Sequence, residues 1–165
     1  MGSPVISSGK DDDVRLALLR GVPEKWTLEH NFGIFEQAVT KAASSEADLL
    51  ITPECWLDGY ASPDDESSVA RLIEISQPLE SSDYLKTVSQ LARENGLWIC
   101  FGFTSLEDGE PHNAAGLWNS QGELVGLYRK THLQRHDLQY APGNDLPVFE
   151  RPWGKLGILI CADRR

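Results

Sequence analysis

The stretch DLLITPECWLDGY, Asp48–Tyr60, sets the architecture of the chain. Its first part, Asp48–Thr52, is an apolar run of strand length, stopped by Pro53, and reads as a buried strand. Upstream, Leu28, Phe32, Phe35, Val39 and Ala42 form one apolar stripe at helical period, and before them Val14–Leu19 reads as a first strand. Downstream, Ser62–Pro78 is acidic and serine-rich, with Val69, Leu72 and Ile73 marking a short surface helix. A second long helix starts at Ser82 as N-cap, with Asp83 in its first turn. It buries Leu85, Val88, Leu91 and Ala92 and stops at Gly96. Leu97–Phe103 is a third buried strand.

The pattern then changes to hairpins. HNAAGLWNSQGELVGLYRK (His112–Lys130) reads as two strands joined by a turn at Asn119–Gly122. PVFERPWGKLGILI (Pro147–Ile160) reads as another pair turning at Trp153–Gly154. Strand, helix, strand, helix, strand and then hairpins predict an α/β layered domain, not a bundle or a barrel. Nothing divides the 165 residues, so one domain is expected over 14–165, behind a polar flexible leader at 1–13.

Composition bounds the function. The net charge of −10, with no basic stripe, disfavours nucleic-acid binding. No stretch approaches a membrane span, and the start MGSPVISSGKDDD lacks the apolar core of a secretory signal. Cys55, Cys100 and Cys161 are odd in number and at no metal-like spacing, which disfavours a disulfide framework or structural zinc and points to the reducing cytoplasm.

Three polar residues stand at parallel places. Glu54 follows the strand ending at Thr52, Lys130 ends the strand Glu123–Arg129, and Cys161 ends the apolar run Leu156–Ile160. Taken singly, each has a plainer reading: a solvated carboxylate, a solvated charge beside Arg129, and a buried structural cysteine. Taken together they make an acyl-transfer set. A free thiol is only about 3% thiolate at pH 7, so a carboxylate that takes its proton activates it. An ammonium beside the acceptor carbon stabilises the oxyanion, and losing such a donor costs roughly 3–4 kcal/mol.

LLITPECWLDGY, GLYRKTHL and GILICADRR, in that order, resemble the three catalytic signatures of the nitrilase, or carbon–nitrogen hydrolase, superfamily. The resemblance runs from Val14 through nearly the whole chain, including APGNDLPVF (Ala141–Phe149). It implies an α-β-β-α sandwich and a thiol hydrolase without cofactor or metal, homo-oligomeric when full length. By matching motif, Glu54 is the base, Lys130 the oxyanion stabiliser and Cys161 the nucleophile, with the Ala162 N–H as a second oxyanion donor. Tyr60 falls near the family's pocket. CADRR is most similar to the N-carbamoyl amino acid hydrolases, which makes Arg164 and Arg165 substrate-binding candidates and implies a linear amide or carbamoyl substrate.

Two departures stand out. Where many family members carry a second glutamate, this chain has His136, with Asp137 beside it as the substitute carboxylate. Family domains also continue well beyond the cysteine, so the chain reads as truncated after its nucleophile. The rival reading is therefore a weak or inactive module that associates with another hydrolase subunit or protein. A cysteine–histidine hydrolase is a further rival, but none of His30, His112, His132 and His136 sits in a motif that pairs it with Cys161. His132 and His136 have helical spacing but lack the glutamate of a zinc-peptidase helix, and read as rim residues.

Overall fold

The structure, a computed structural model, describes residues 13–164. All of the expected leader except Asp13, and Arg165, lie outside the described residues. In chain order the elements are β1 (Leu16–Leu18), α1 (Leu28–Ser44), β2 (Leu49–Ile51), α2 (Val69–Ile75), β3 (Gln77–Pro78), α3 (Asp83–Asn95) and β4 (Trp98–Glu107). After these come β5 (Glu110–Trp118), β6 (Leu124–Arg129), β7 (Val148–Arg151) and β8 (Gly154–Gly157). Two 3-10 turns, Arg135–Asp137 and Cys161–Arg164, lie before β7 and after β8.

The main sheet has the order β1-β2-β4-β5-β6, with β3 beside the far end of β4. β1, β2 and β4 are mutually parallel, whereas β5 is antiparallel to both β4 and β6. It follows that β2 and β6 run the same way, so the chain leaves both at the same end of the sheet. Side chains on β4 alternate between the faces, as strand geometry requires. Ile99, Phe101 and Phe103 pack against α1 and α3 through Phe35, Val39, Leu85 and Val88, while Trp98 and Cys100 point the other way. There they meet Phe149, Trp153 and Leu156 of the separate β7–β8 ladder. Helices, six-stranded sheet and two-stranded sheet thus stack as α, β and β, three of the four layers of the expected sandwich.

Local chemistry explains the helix limits. Ser82 Oγ accepts the Leu85 N–H at 3.2 Å, and Gly96 closes α3 in the left-handed conformation. Along α1, Phe35 and Val39 are fully buried, as the stripe requires. The short helix expected within Ser62–Pro78 is α2, anchored by buried Leu72. No helix among the described residues is long and apolar enough to cross a membrane.

Two expectations change. β4 does not stop at Phe103; it continues to Glu107 because β5 pairs with it all the way to a tight turn at Asp108–Gly109. Both turn residues have positive φ, the geometry that joins twisted strands in two residues. The second change concerns Leu156–Ile160, read as one strand delivering Cys161. β8 ends at Gly157, and its ladder partner is β7, not the main sheet. Ile158 and Ile160 still pack inward while Leu159 is exposed, but no ladder carries them. Cys161 therefore opens a 3-10 turn instead of ending a strand of the main sheet.

Candidate active site

Glu54 leaves β2 and Lys130 leaves β6 at the same sheet end, yet β4 and β5 lie between them. That separation is about 14 Å at ordinary strand spacing. The backbone after β2 closes part of it by folding across β4 at Gly102. The Gly102 N–H donates to Thr52 Oγ1 at 2.8 Å, and the Leu57 N–H donates to the Gly102 carbonyl at 3.2 Å. An added Cβ at Gly102 would collide with the Pro53 carbonyl oxygen, so the crossing needs glycine there. Carried over β4, Glu54 Oε1 accepts from Asn113 Nδ2 of β5 and from Lys130 Nζ, both at 2.7 Å.

Lys130 is wholly buried. Its Nζ also donates to Asp137 Oδ2 at 2.6 Å and lies 5.9 Å from the centre of the Tyr60 ring. The Tyr60 hydroxyl donates to the other oxygen of Asp137 at 2.6 Å, and the Gln134 N–H reaches Oδ2 at 3.2 Å. The carboxylate beside the lysine is thus Asp137, while His136 turns out to stack edge-on against Tyr60. Burial alone would lower the lysine's pKa, but the hydrogen bonds it donates to two carboxylates outweigh it and hold the ammonium above its ordinary value. Burial likewise pushes Asp137 up, and its bonds from Lys130, Tyr60 and Gln134 more than reverse that, leaving it below the ordinary range. The loop from Lys130 to Gly143 is closed at its base, where the Gly143 N–H donates to the Lys130 carbonyl at 2.8 Å.

Cys161 is exposed and has φ 47°, a left-handed conformation that a side chain adopts only when its surroundings hold it there. Its Sγ accepts from Gln134 Nε2 at 3.8 Å. Cys161 and Glu54 line one cavity of about 150 Å³, whose walls include Thr52, Gly102, Ala114 and Ile160. Structure thus joins Glu54, Lys130, Asp137 and Tyr60 by direct contact and sets Cys161 on the same cavity as Glu54. Ala162, the residue after Cys161 in the 3-10 turn, is buried, whereas Arg164 is exposed. Arg165 lies outside the described residues.

Sequence reasoning missed Asn113 and Gln134 as site members. Asn113 lies in a strand whose only sequence signal is its hairpin pattern, and nothing local ties it to Glu54. Asp163, within CADRR, has its side chain wholly buried among the chain's own donors. Beneath the Glu54 turn is a second polar group. Asp58 accepts from Thr104 Oγ1 at 2.7 Å, while its Oδ1 has no hydrogen-bond partner among the described residues. Burial pushes Asp58 up to about 7. Cys55 is buried beside Tyr140, and burial raises its thiol well above the ordinary value.

Chemically, the arrangement provides an exposed thiol, a carboxylate on the same cavity, and an ammonium locked between two carboxylates. The family model described as carbon-nitrogen hydrolase matches residues 15–165. Deaminated glutathione amidase of Mus musculus is 34% identical over 177 residues, covering 97% of this chain and 53% of that protein. A probable nitrilase of Schizosaccharomyces pombe is 27% identical over 154 residues, covering 90% of this chain and 54% of that protein. Among solved structures, an amidase from Nesterenkonia sp. superposes with a TM-score of 0.75 at 23% identity, over 94% of this chain and 59% of that one, a likeness of fold. The chain spans about half the length of the curated relatives it matches. With the family model matched over nearly its whole length, the chain belongs to the carbon–nitrogen hydrolase family.

Proposed function

We propose that this chain carries the acylating half-site of a thiol hydrolase that cleaves non-peptide C–N bonds in linear amides. Cys161 Sγ attacks the amide carbon while Glu54 takes the thiol proton. The Lys130 ammonium, with one N–H left after Glu54 and Asp137, and the Ala162 N–H stabilise the oxyanion. Collapse of the tetrahedral intermediate breaks the C–N bond. Ammonia or an amine leaves with the proton held by Glu54, and a thioester remains. Water then gives a proton to Glu54 and attacks the thioester, releasing the acid and restoring the thiol. Asp137 acts as the second carboxylate that fixes Lys130, and Tyr60 orients Asp137.

One observation carries this reading: the ammonium of Lys130 contacts Glu54 at 2.7 Å, and Glu54 shares its cavity with the exposed thiol. A linear amide is the substrate class favoured, supported by the 34% identity to a deaminated glutathione amidase. The case for an N-carbamoyl substrate rests on Arg164 and Arg165, because Asp163 faces inward. The experiment follows ammonia release from a panel of short linear amides and N-carbamoyl amino acids. Release that disappears in Cys161→Ala and falls at least about a hundredfold in Glu54→Gln supports the reading. Ammonia release unchanged in Cys161→Ala overturns it. No release from any amide by a folded chain that co-elutes with another hydrolase subunit favours the module.

A further inference from the structure

Asp163 lies two residues past the thiol, and its carboxylate is saturated by the chain itself. Oδ1 accepts from the Thr131 N–H at 3.2 Å, the Thr131 hydroxyl at 3.1 Å, the His132 N–H at 2.8 Å and His132 Nδ1 at 3.3 Å. Oδ2 accepts from the Tyr128 hydroxyl at 2.6 Å and from the Ile160 N–H at 2.9 Å. A carboxylate has about four lone-pair positions, so six neighbouring donors leave no room for a substrate group. The side chain is 0% exposed, which excludes direct substrate contact on a second ground.

The partners are not scattered. Thr131 and His132 directly follow Lys130, and Ile160 directly precedes Cys161. The Asp163 N–H also donates to the Ile160 carbonyl at 3.1 Å, so residue 163 grips both polar groups of residue 160 and closes a ring around Cys161. That ring holds Cys161 at its left-handed φ of 47°. It is fastened to the segment that starts at Lys130. No strand ladder does this work: β8 ends at Gly157, and its partner is β7.

We propose that Asp163 is the positioning residue that fixes the Cys161 thiol relative to Lys130 and Glu54. The inference rests on the reading of those three residues as one site, and it assigns to Asp163 no contact with substrate. Asp163→Asn preserves volume but turns one acceptor oxygen into a donor facing other donors, which releases the ring from residues 131 and 132.

The test uses the full chain and iodoacetamide as the probe. Cys161 is exposed while Cys55 and Cys100 are buried, so native alkylation reads Cys161. Alkylation rates are measured from pH 6 to 9 for the wild type, Glu54→Gln, Asp163→Asn and the double variant, and backbone amide exchange is followed in parallel. We expect Glu54→Gln to change the rate roughly tenfold in the wild-type background and less than about twofold beside Asp163→Asn. Exchange at Thr131, His132 and Ile160 should rise in Asp163→Asn, while β4 and β5 amides stay protected. An equal Glu54→Gln effect in both backgrounds overturns the proposal even if exchange rises, because Asp163 is then structural only. If Glu54→Gln changes nothing in the wild type, the base assignment falls. Asp163 is then judged by whether Asp163→Asn alone alters both Cys161 alkylation and local exchange: changes in both support it, and anything less overturns it. Should Asp163→Asn fail to fold, Tyr128→Phe removes a single donor from Oδ2. The same shifts at smaller size support the proposal, and profiles superimposable on the wild type overturn it.

Discussion

Lys130 is the residue on which the described site turns. A buried ammonium is tolerated because Glu54 and Asp137 lie 2.7 and 2.6 Å away, and each carboxylate has further donors of its own, Asn113 for Glu54 and Tyr60 for Asp137. Lys130→Met should therefore destabilise the fold by about 3–5 kcal/mol at pH 7, since it leaves Asp137 buried without its counter-ion. Urea denaturation at pH 7 and pH 4 checks this. The penalty should shrink at the lower pH, where Asp137, deprived of the lysine that depresses its pKa, is protonated in the folded state. A penalty of equal size at both values would mean that lost packing, not charge, dominates. The position of Gln134 leads to a milder expectation. Its side-chain amide donates to the Cys161 sulfur at 3.8 Å, in an exposed contact. Gln134→Met removes that contact and should change the rate of Cys161 alkylation by iodoacetamide at pH 7 without altering the urea midpoint.

The crossing of the Glu54 turn over β4 belongs to the scale of elements. Because an added Cβ at Gly102 meets the Pro53 carbonyl, Gly102→Ala should lift the turn away from Asn113 and Lys130. We expect a loss of about 1–3 kcal/mol in urea, together with lower turnover. Stability lost with turnover intact would show that Glu54 tolerates the displacement. The same turn covers Asp58, whose carboxyl is raised by burial from its ordinary 3.8 to about 7. A pKa raised by folding makes the group's contribution complete at low pH and lost as pH rises through 7. The penalty at pH 8 is about 4 kcal/mol at most. Asp58→Asn should accordingly stabilise the chain at pH 8 and leave it nearly unchanged only below the unfolded value of 3.8, measured by urea midpoints on either side of the interval between 3.8 and about 7.

For the whole molecule, two buried carboxylates oppose Asp58. Asp137 and Asp163 are desolvated, but their hydrogen bonds hold both below the ordinary carboxylate value, so their contributions are present above that value and lost as pH falls through the folded pKa. The summed contribution of these three carboxylates should therefore be greatest near pH 4, just above their unfolded value. Asp137→Asn should alter the acid limb and Asp58→Asn the alkaline limb, which melting curves across pH 3–9 distinguish. Much of this molecule was legible from local signals: the Asp48–Thr52 run ended by proline, the Ser82 and Gly96 caps, and the turn at Asn119–Gly122. The far half of β4 was not, because Thr104–Glu107 is held by pairing with β5 and not by its own apolar content. The strand drawn into Cys161 failed for the converse reason: an apolar run packed inward but without a ladder partner. Glu54 and Lys130 stood out through the flanks of their motifs, whereas Asn113, Gln134 and the inward turn of Asp163 arise only from contacts between distant segments. The β7–β8 ladder meets the main sheet through side chains such as Trp153 on Trp98, and shares no backbone ladder with it. Glu54 and Lys130 are therefore gathered by backbone pairing within one sheet, whereas where Cys161 stands relative to them depends on how two separate sheets interlock.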